Sequence, residues 1–181
     1  MEIYLIRHTL PKLTPGLIYG HLDIPLAEGY AEEFDRIKAL LPERLQTVYS
    51  SPSTRCRQLA EHLDPHYRID ERLRELHFGD WEGQTWDSVD QVKLKIWMDD
   101  FVNEPVPGGE HLLDLQKRVL QFWKELQLLE TQNSIAIITH AGVIRLLLAM
   151  ERQVALKDMF SISVGYGEVV MVEGSDYNQR N

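Results

Sequence analysis

Two histidines lie directly after short apolar segments at distant points of the chain. His8 follows residues 3–6 and Arg7, and His140 comes just after residues 135–138. Continuous apolar segments of this length are typical of strands covered on both faces of a parallel sheet. The carboxyl ends of such strands meet at one edge of the sheet, so we expect the two imidazoles to share one pocket.

These residue types favour chemistry on an anion. An imidazole can attack as a nucleophile or transfer a proton near neutral pH, and the planar guanidinium of Arg7 suits a phosphoryl or carboxylate group. A lone histidine at a strand end is more often structural than catalytic. The joint occurrence of His8, Arg7 and His140 at equivalent strand ends therefore indicates a functional site for an anion.

A third apolar segment, at residues 47–49, leads into SSPSTR and a helical pattern at residues 53–63. The amino end of a helix carries free N–H groups and a positive dipole, which favour an anion. Arg55 and Arg57 lie in the first turns, but residues two apart cannot face the same way. We expect one guanidinium to point toward the pocket and the other into solvent.

Strands and helices alternate along the chain. The patterns predict strands at residues 3–6, 47–49, 135–138 and 169–172, and helices at residues 31–41, 53–63, 112–129 and 143–150. Ser51 and Pro52 are expected to cap the second helix. The alternation predicts one α/β domain over residues 1–181, a three-layer α/β/α sandwich with a mainly parallel central sheet. Residues 78–109 lack a regular pattern and are expected to form a cap or lid.

Composition limits the partners. The 181 residues include 19 basic and 28 acidic side chains, which give a formal net charge of −9 and a pI of about 5.2. Nucleic acids and anionic membranes require clustered cations, so neither is expected as a partner. No apolar segment approaches the roughly 18 residues of a membrane span, and no secretory leader is apparent, so a cytoplasmic location is expected.

Metal chemistry is not expected either. Cys56 is the only cysteine, which excludes an internal disulfide and a thiolate metal cluster. His62 and His66 have a spacing that can bind zinc on a helix, but Pro65 is expected to end that helix and no further ligand completes the set.

Four motifs occur in an order that resembles a known family. They are Arg7-His8-Thr9, SSPSTR at residues 50–55, LRELHFGDWEG at residues 73–83 and THAGVIR at residues 139–145. Together they resemble the histidine phosphatase superfamily, also called the phosphoglycerate-mutase-like fold. Thr9 stands where the family usually has glycine. A branch of the family has threonine at this position, and that branch includes enzymes similar to α-ribazole phosphatase of cobalamin assembly. The segment IYGHLDIPLAEG also resembles this branch.

The resemblance implies hydrolysis of a small-molecule phosphomonoester through a phosphohistidine. Neutral His8 would attack phosphorus in line, and Arg7 and Arg55 would bind the phosphoryl oxygens on which negative charge develops. His140 would be a further donor to the transferring group. The scheme requires no metal and no cofactor, because arginine and histidine supply the positive charge.

The resemblance also implies a carboxylic acid that protonates the leaving alkoxide. The family's LxE position matches Glu75, although the residues alone do not separate it from Glu71 or Glu82. A catalytic acid keeps its proton near neutral pH when it is desolvated or close to another anion, and we expect this of Glu75. Thr14 and Gly20 match the family's substrate loop, where a hydroxyl and a close backbone approach would contact the phosphate.

Several functions stay open. The resemblance favours a phosphatase that acts on α-ribazole 5′-phosphate. The alternatives are a broad-specificity phosphatase, a phosphohistidine-protein phosphatase and a phosphoglycerate mutase. Mutases of this fold usually carry long insertions around the site, so the short chain favours hydrolysis. A non-catalytic phosphate-binding module would lack the nucleophile or the acid, whereas this chain has both. The PGGEH segment at residues 107–111 is interpreted as a helix entry. No oligomeric state is predicted.

Overall fold

A five-stranded sheet forms the centre of the molecule. The computed structural model describes residues 1–129 and 134–174. The strands are β1 (Glu2–Arg7), β2 (Thr47–Ser50), β3 (Arg68–Ile69), β4 (Ile135–Thr139) and β5 (Val169–Glu173). Their spatial order is β3-β2-β4-β1-β5, and of these strands β5 alone runs antiparallel to its neighbour. The prediction of a mainly parallel sheet is confirmed.

Helices cover both faces of the sheet. They are α1 (Tyr30–Ala39), α2 (Thr54–Leu63), α3 (Gln91–Asp99), α4 (Leu112–Gln127) and α5 (Ala141–Glu151), with short 3₁₀ helices at Glu71–Leu73, Gly79–Trp81 and Leu156–Ser161. Helices α1 and α2 pack on one face through residues such as Phe34 and Leu59, and α4 and α5 pack on the other through Leu115 and Leu147. The three-layer prediction is confirmed. None of the helices described is long and apolar enough to cross a bilayer.

The two central strands show why the histidines lie at one edge. All five residues of β4 are buried, and alternate side chains join the apolar clusters on opposite faces, which explains its unbroken apolar sequence. Strand β1 pairs with β4 in parallel, with Arg7 opposite Thr139. The next residue of each strand is a histidine, so this register brings His8 and His140 to the same level.

One helix lies where irregular structure was predicted. Within residues 78–109, α3 spans Gln91–Asp99, and the carboxylate of its N-cap, Asp90, accepts two backbone N–H groups at 2.9 and 3.1 Å. The irregular assignment is wrong for this segment. Only Leu94 and Trp97 are buried among its nine residues, so its apolar stripe is too narrow to stand out as a helical pattern.

The start of α2 also differs from the prediction. The N-cap is Ser53, and the helix begins at Thr54, so Ser51 and Pro52 are not its cap. The Ser51 hydroxyl instead contacts His140 at a distance of 2.7 Å. The error arises because serine is favoured both at helix caps and in the turns that precede them.

Candidate active site

His8 is buried at the carboxyl end of β1 with one ring nitrogen available. Its side chain is 1% exposed, and its backbone N–H donates to the Thr139 carbonyl at 3.1 Å. Ring atom Nδ1 lies 2.8 Å from the carbonyl oxygen of Thr9. A carbonyl can only accept, so Nδ1 carries the proton and Nε2 keeps its lone pair. Burial, followed by the charge of Arg55, lowers the pKa of His8 to about 3.

His140 lies beside His8 in the opposite tautomer. The ring centroids are 5.2 Å apart with an interplanar angle of 67°. Arg55 Nη2 lies 3.3 Å from His140 Nδ1, and because a guanidinium only donates, Nδ1 accepts. The His140 proton is therefore on Nε2, which donates to the Ser51 hydroxyl at 2.7 Å. Burial and then Arg55 hold the pKa of His140 well below its usual range. Donation from His140 to a phosphoryl group stays a prediction.

Arg55 is fully buried behind the loop that follows β1. Its Nη1 donates to the Leu22 carbonyl at 3.0 Å and its Nη2 to the Gly20 carbonyl at 2.7 Å, while Asp23 Oδ1 lies 3.7 Å from Nη1. Arg57 is exposed and donates to a tyrosine hydroxyl. One of the two arginines is thus buried and the other exposed, as expected, whereas the predicted contact of Arg55 with a ligand in the pocket stays a prediction.

Arg7 is held by the segment before β5. Its Nη1 donates to the Val164 carbonyl at 2.7 Å, and its guanidinium carbon lies 3.6 Å from the centroid of the Tyr166 ring. The Nε atoms of Arg7 and Arg55 are both buried without a hydrogen-bond acceptor among the described residues. Both guanidinium groups therefore retain donors that fit an anionic ligand.

Glu75 borders the cavity beside His8, and its role as a proton donor stays a prediction. Its carboxylate accepts the N–H of Gly142 at 3.1 Å and that of Leu76 at 3.0 Å, and it borders the same cavity as His8. A Cβ added at Gly142 would lie 2.2 Å from Glu75 Oε1, so only glycine permits this approach.

The other two acids of this region have different roles. Glu71 is exposed and forms an ion pair with Arg74, with 2.6 Å between Oε2 and Nε. Glu82 Oε1 accepts the backbone N–H of His21 at 2.8 Å and that of Phe78 at 3.0 Å, which ties the loop after β1 to residues 78–109. The structure thus singles out Glu75 as the acid that faces the cavity.

A cavity of about 470 Å³ opens above His8. Four of the predicted site residues line it, namely Arg7, His8, Thr14 and Glu75. Aromatic rings form much of the remaining wall, from Tyr19, Phe78, Trp86 and Tyr166. Phe78 and Trp86 come from the region predicted to be a cap, and its movement as a lid stays a prediction.

Gly20, Arg55 and His140 do not border this cavity. Gly20 lies so close to the Leu76 carbonyl that an added Cβ would be 1.9 Å from that oxygen, and its own carbonyl accepts from Arg55. The structure thus gives Gly20 a contact with the protein itself, and its predicted contact with a phosphate stays a prediction. Arg55 and His140 form the buried support directly beside His8.

Arg145 is a site residue that the sequence reasoning missed. It lines the cavity from the second turn of α5, and its Nε donates to the Ile162 carbonyl at 2.9 Å. Burial and then the charge of Arg7 lower the pKa of Arg145. A signal was present, because Arg145 ends the THAGVIR motif, five residues after His140 on a helix that starts at the site. In the described ranges, no group of three or more potential metal ligands is found.

The sheet topology and this constellation define a phosphoglycerate-mutase-like enzyme that acts on phosphoryl groups. The family model described as histidine phosphatase superfamily (branch 1) matches residues 3–180. The chain belongs to this superfamily, and it is a phosphatase.

Three known proteins show the extent of the similarity. The crystal structure of α-ribazole phosphatase from Shigella flexneri is 26% identical, with a TM-score of 0.86 over 96% of this chain and 90% of that one. The adenosylcobalamin/α-ribazole phosphatase of Salmonella typhimurium is 28% identical over 82% of this chain and 78% of its own length. A protein of Hydrogenobacter thermophilus, named as a candidate phosphoserine phosphatase, is 27% identical over 89% of this chain and 83% of its own length.

Proposed function

We propose that the chain hydrolyses phosphomonoesters through a phosphohistidine at His8. The observation that carries this proposal is the tautomer of that ring, because the bond from Nδ1 to the Thr9 carbonyl leaves the Nε2 lone pair free at the cavity. A pKa of about 3 keeps the imidazole neutral throughout the physiological range. A neutral nitrogen is the form that can attack phosphorus.

The reaction has two steps that share one acid. His8 Nε2 forms a bond to phosphorus while the bond from phosphorus to the alcohol oxygen breaks, and Glu75 gives its proton to that oxygen. Water then attacks phosphorus, the P–N bond breaks, and Glu75 takes a proton from the water. Arg7, which borders the cavity, binds the phosphoryl oxygens in both steps, and the buried charge of Arg55 close to His8 adds to the stabilisation of their negative charge.

Trapping of the intermediate tests this scheme. We expect His8→Ala to lower kcat/KM by at least about 10³-fold, since it removes the nucleophile. An alkaline quench during turnover of ³²P-labelled substrate should leave label on the wild-type protein and on the control His66→Ala, which changes an exposed histidine. Full activity of His8→Ala would rule out the mechanism. Phosphate binding without hydrolysis by the wild type would indicate a non-catalytic module.

α-Ribazole 5′-phosphate is the proposed substrate. Its flat benzimidazole base suits the cavity wall that Tyr19, Phe78, Trp86 and Tyr166 form, since aromatic faces stack on one another. Two of the similar proteins described above are named as α-ribazole phosphatases.

A second candidate is the phosphate ester of an alcohol that also carries a carboxylate, such as phosphoserine. Arg145 supports it, because this guanidinium borders the cavity and forms no ion pair with a carboxylate within the described ranges. A cation in that position suits a second anionic group on the substrate. The Hydrogenobacter relative is named for phosphoserine.

Steady-state kinetics separates the two candidates. The panel is α-ribazole 5′-phosphate, phosphoserine, 3-phosphoglycerate and p-nitrophenyl phosphate. A preference for the ribazole ester below about tenfold, or roughly 1.4 kcal/mol, would rule out that assignment. Arg145→Met should change kcat/KM for α-ribazole 5′-phosphate by less than about threefold. If the carboxylate of phosphoserine binds Arg145, the same variant should lower kcat/KM for phosphoserine by tenfold or more. Isomerisation of 3-phosphoglycerate without phosphate release would identify a mutase.

A further inference from the structure

Arg118 of α4 contacts the backbone of the segment that carries Glu75. Its Nη1 donates to the carbonyl oxygens of Arg72 and Arg74, both at 2.7 Å, and its Nη2 donates to the carbonyl of Glu75 at 2.9 Å. Three carbonyls within four consecutive residues are thus held by one planar group. This segment has only one short 3₁₀ turn of its own, at Glu71–Leu73, to fix its path.

The remaining donors of Arg118 bind Glu110. Nε lies 2.7 Å from Glu110 Oε1, and Nη2 lies 2.9 Å from Oε2, so all five guanidinium N–H donors have acceptors. The two side chains are 20% and 16% exposed. A planar fork with every donor used has one orientation, which lysine cannot reproduce.

Glu110 also binds the chain just after Glu75. Its Oε2 accepts the N–H of His77 at 3.2 Å, and its own N–H donates to the His77 carbonyl at 3.0 Å. A Cβ added at the preceding Gly109 would lie 2.3 Å from that carbonyl, so glycine is needed for the approach. The PGGEH segment, interpreted from sequence as a helix entry, therefore also holds the backbone of His77, two residues after Glu75.

We propose that Arg118, oriented by Glu110, is a positioning residue for the general acid Glu75. The inference rests on the proposed function, because it assumes that Glu75 protonates the leaving group. With its carbonyl bound by Arg118 and by His21 Nε2 at 3.0 Å, the Glu75 backbone is fixed. Its carboxylate then reaches both the Gly142 N–H and the cavity. Arg118 does not border the cavity, and in this proposal it acts by positioning Glu75.

Two esters that differ in their need for a proton test the proposal. Nitrophenolate leaves p-nitrophenyl phosphate as a stable anion, whereas the alkoxide of glycerol 3-phosphate requires protonation. In Arg118→Lys we expect kcat/KM for glycerol 3-phosphate to fall by tenfold or more, and that for p-nitrophenyl phosphate to change by less than about threefold. Arg74→Lys, which alters an ion pair on the same segment, should leave the ratio unchanged. An equal loss on both esters, or no loss, would overturn the proposal.

Reference variants separate this inference from the proposed function. Glu75→Gln should also lower kcat/KM for glycerol 3-phosphate more than that for p-nitrophenyl phosphate, and by a larger factor than Arg118→Lys does. The double variant should have nearly the same kcat/KM as Glu75→Gln, since the effects of residues that act as a unit are not additive. If Glu75→Gln is selective but Arg118→Lys is not, only the positioning role is wrong. If Glu75→Gln affects both esters equally, the acid assignment itself fails. Should Arg118→Lys not fold, Glu110→Gln replaces it, and a wild-type ratio in that variant would overturn the proposal.

Discussion

The protonation of the two site histidines is set by their neighbours. His8 holds its proton on Nδ1 through the Thr9 carbonyl, and His140 holds its proton on Nε2 through the Ser51 hydroxyl. Both rings are buried next to Arg55, which disfavours their charged forms. As the proposed nucleophile, His8 therefore needs no general base to stay unprotonated, and an acidic limb in the pH profile of kcat/KM should not arise from it.

The same pKa shift predicts how stability depends on pH. Folded His8 stays neutral down to about pH 3, whereas the unfolded chain protonates it below its ordinary value of 6.5. The unfolded state binds more protons between these values, so the free energy of unfolding decreases as the pH falls through this window. The contribution of one such group is up to about 1.4 kcal/mol per pH unit.

Urea unfolding at several pH values between about 7 and 4 measures this slope. We expect His8→Asn to lose less stability than the wild type on acidification, because asparagine does not titrate. His66→Asn serves as the control, since that histidine is exposed in the folded chain. Parallel slopes for wild type and His8→Asn would contradict a buried neutral imidazole.

Among the secondary-structure elements, the junction of β4 and α5 holds the proposed acid, Glu75, at the cavity that His8 also borders. Helix α5 begins at Ala141, directly after His140, and the N–H of Gly142 in its first turn holds Glu75. A free N–H at a helix start is a natural donor to a carboxylate. The chain thus uses one helix start to support the acid and the adjoining strand end to place His140.

Gly142→Ala tests this junction. In a helix alanine is favoured over glycine by about 1 kcal/mol, so the fold should tolerate the change. The new Cβ would nevertheless lie 2.2 Å from Glu75 Oε1 and must displace that carboxylate. We expect kcat/KM for an alkyl phosphomonoester to fall by about 10²-fold. Steady-state kinetics measures this loss, and thermal unfolding checks that the fold is retained. A kcat/KM close to that of the wild type would mean that the Glu75 carboxylate can move without loss of activity.

Across the whole molecule, the region at residues 78–109 joins the cavity wall to the core. Trp97 of α3 is 8% exposed, and its ring centroid lies 5.7 Å from that of Trp81 and 6.2 Å from those of Trp86 and Phe78. Trp86 and Phe78 border the cavity. Packing of α3 on the core therefore supports the aromatic wall of the site.

Removal of the Trp97 ring should lower the stability of the fold and also weaken substrate binding. We expect Trp97→Ala to lower the free energy of unfolding by about 3–5 kcal/mol, the usual cost of truncating a buried aromatic side chain. KM should also rise, because the neighbouring rings lose their support. Met98→Ala on the same helix is the control, since Met98 is 62% exposed and should change stability by less than about 0.5 kcal/mol. Denaturant unfolding and steady-state kinetics measure both effects.

Local sequence pattern was enough to predict the layers of the fold and the meeting of the two histidines. Unbroken apolar strands must be covered on both faces, and parallel strands end at one edge, so local pattern was enough for β1, β4 and their terminal residues. The pattern also predicted a strand at residues 169–172, but not that β5 runs antiparallel to β1, because direction depends on how the chain returns to the sheet. The short β3 and the helix α3 were not predicted, because brief or half-exposed elements carry little periodicity.

Only the tertiary structure separated residues of the same type. Glu71, Glu75 and Glu82 are alike in sequence, yet one faces solvent, one the cavity and one a set of backbone N–H groups. The tautomers of the histidines and the contacts of Arg118 with the segment around Glu75 could likewise not be predicted from the sequence. The reason is physical: these properties depend on hydrogen-bond partners from distant parts of the chain, and such partners exist only once the elements have packed.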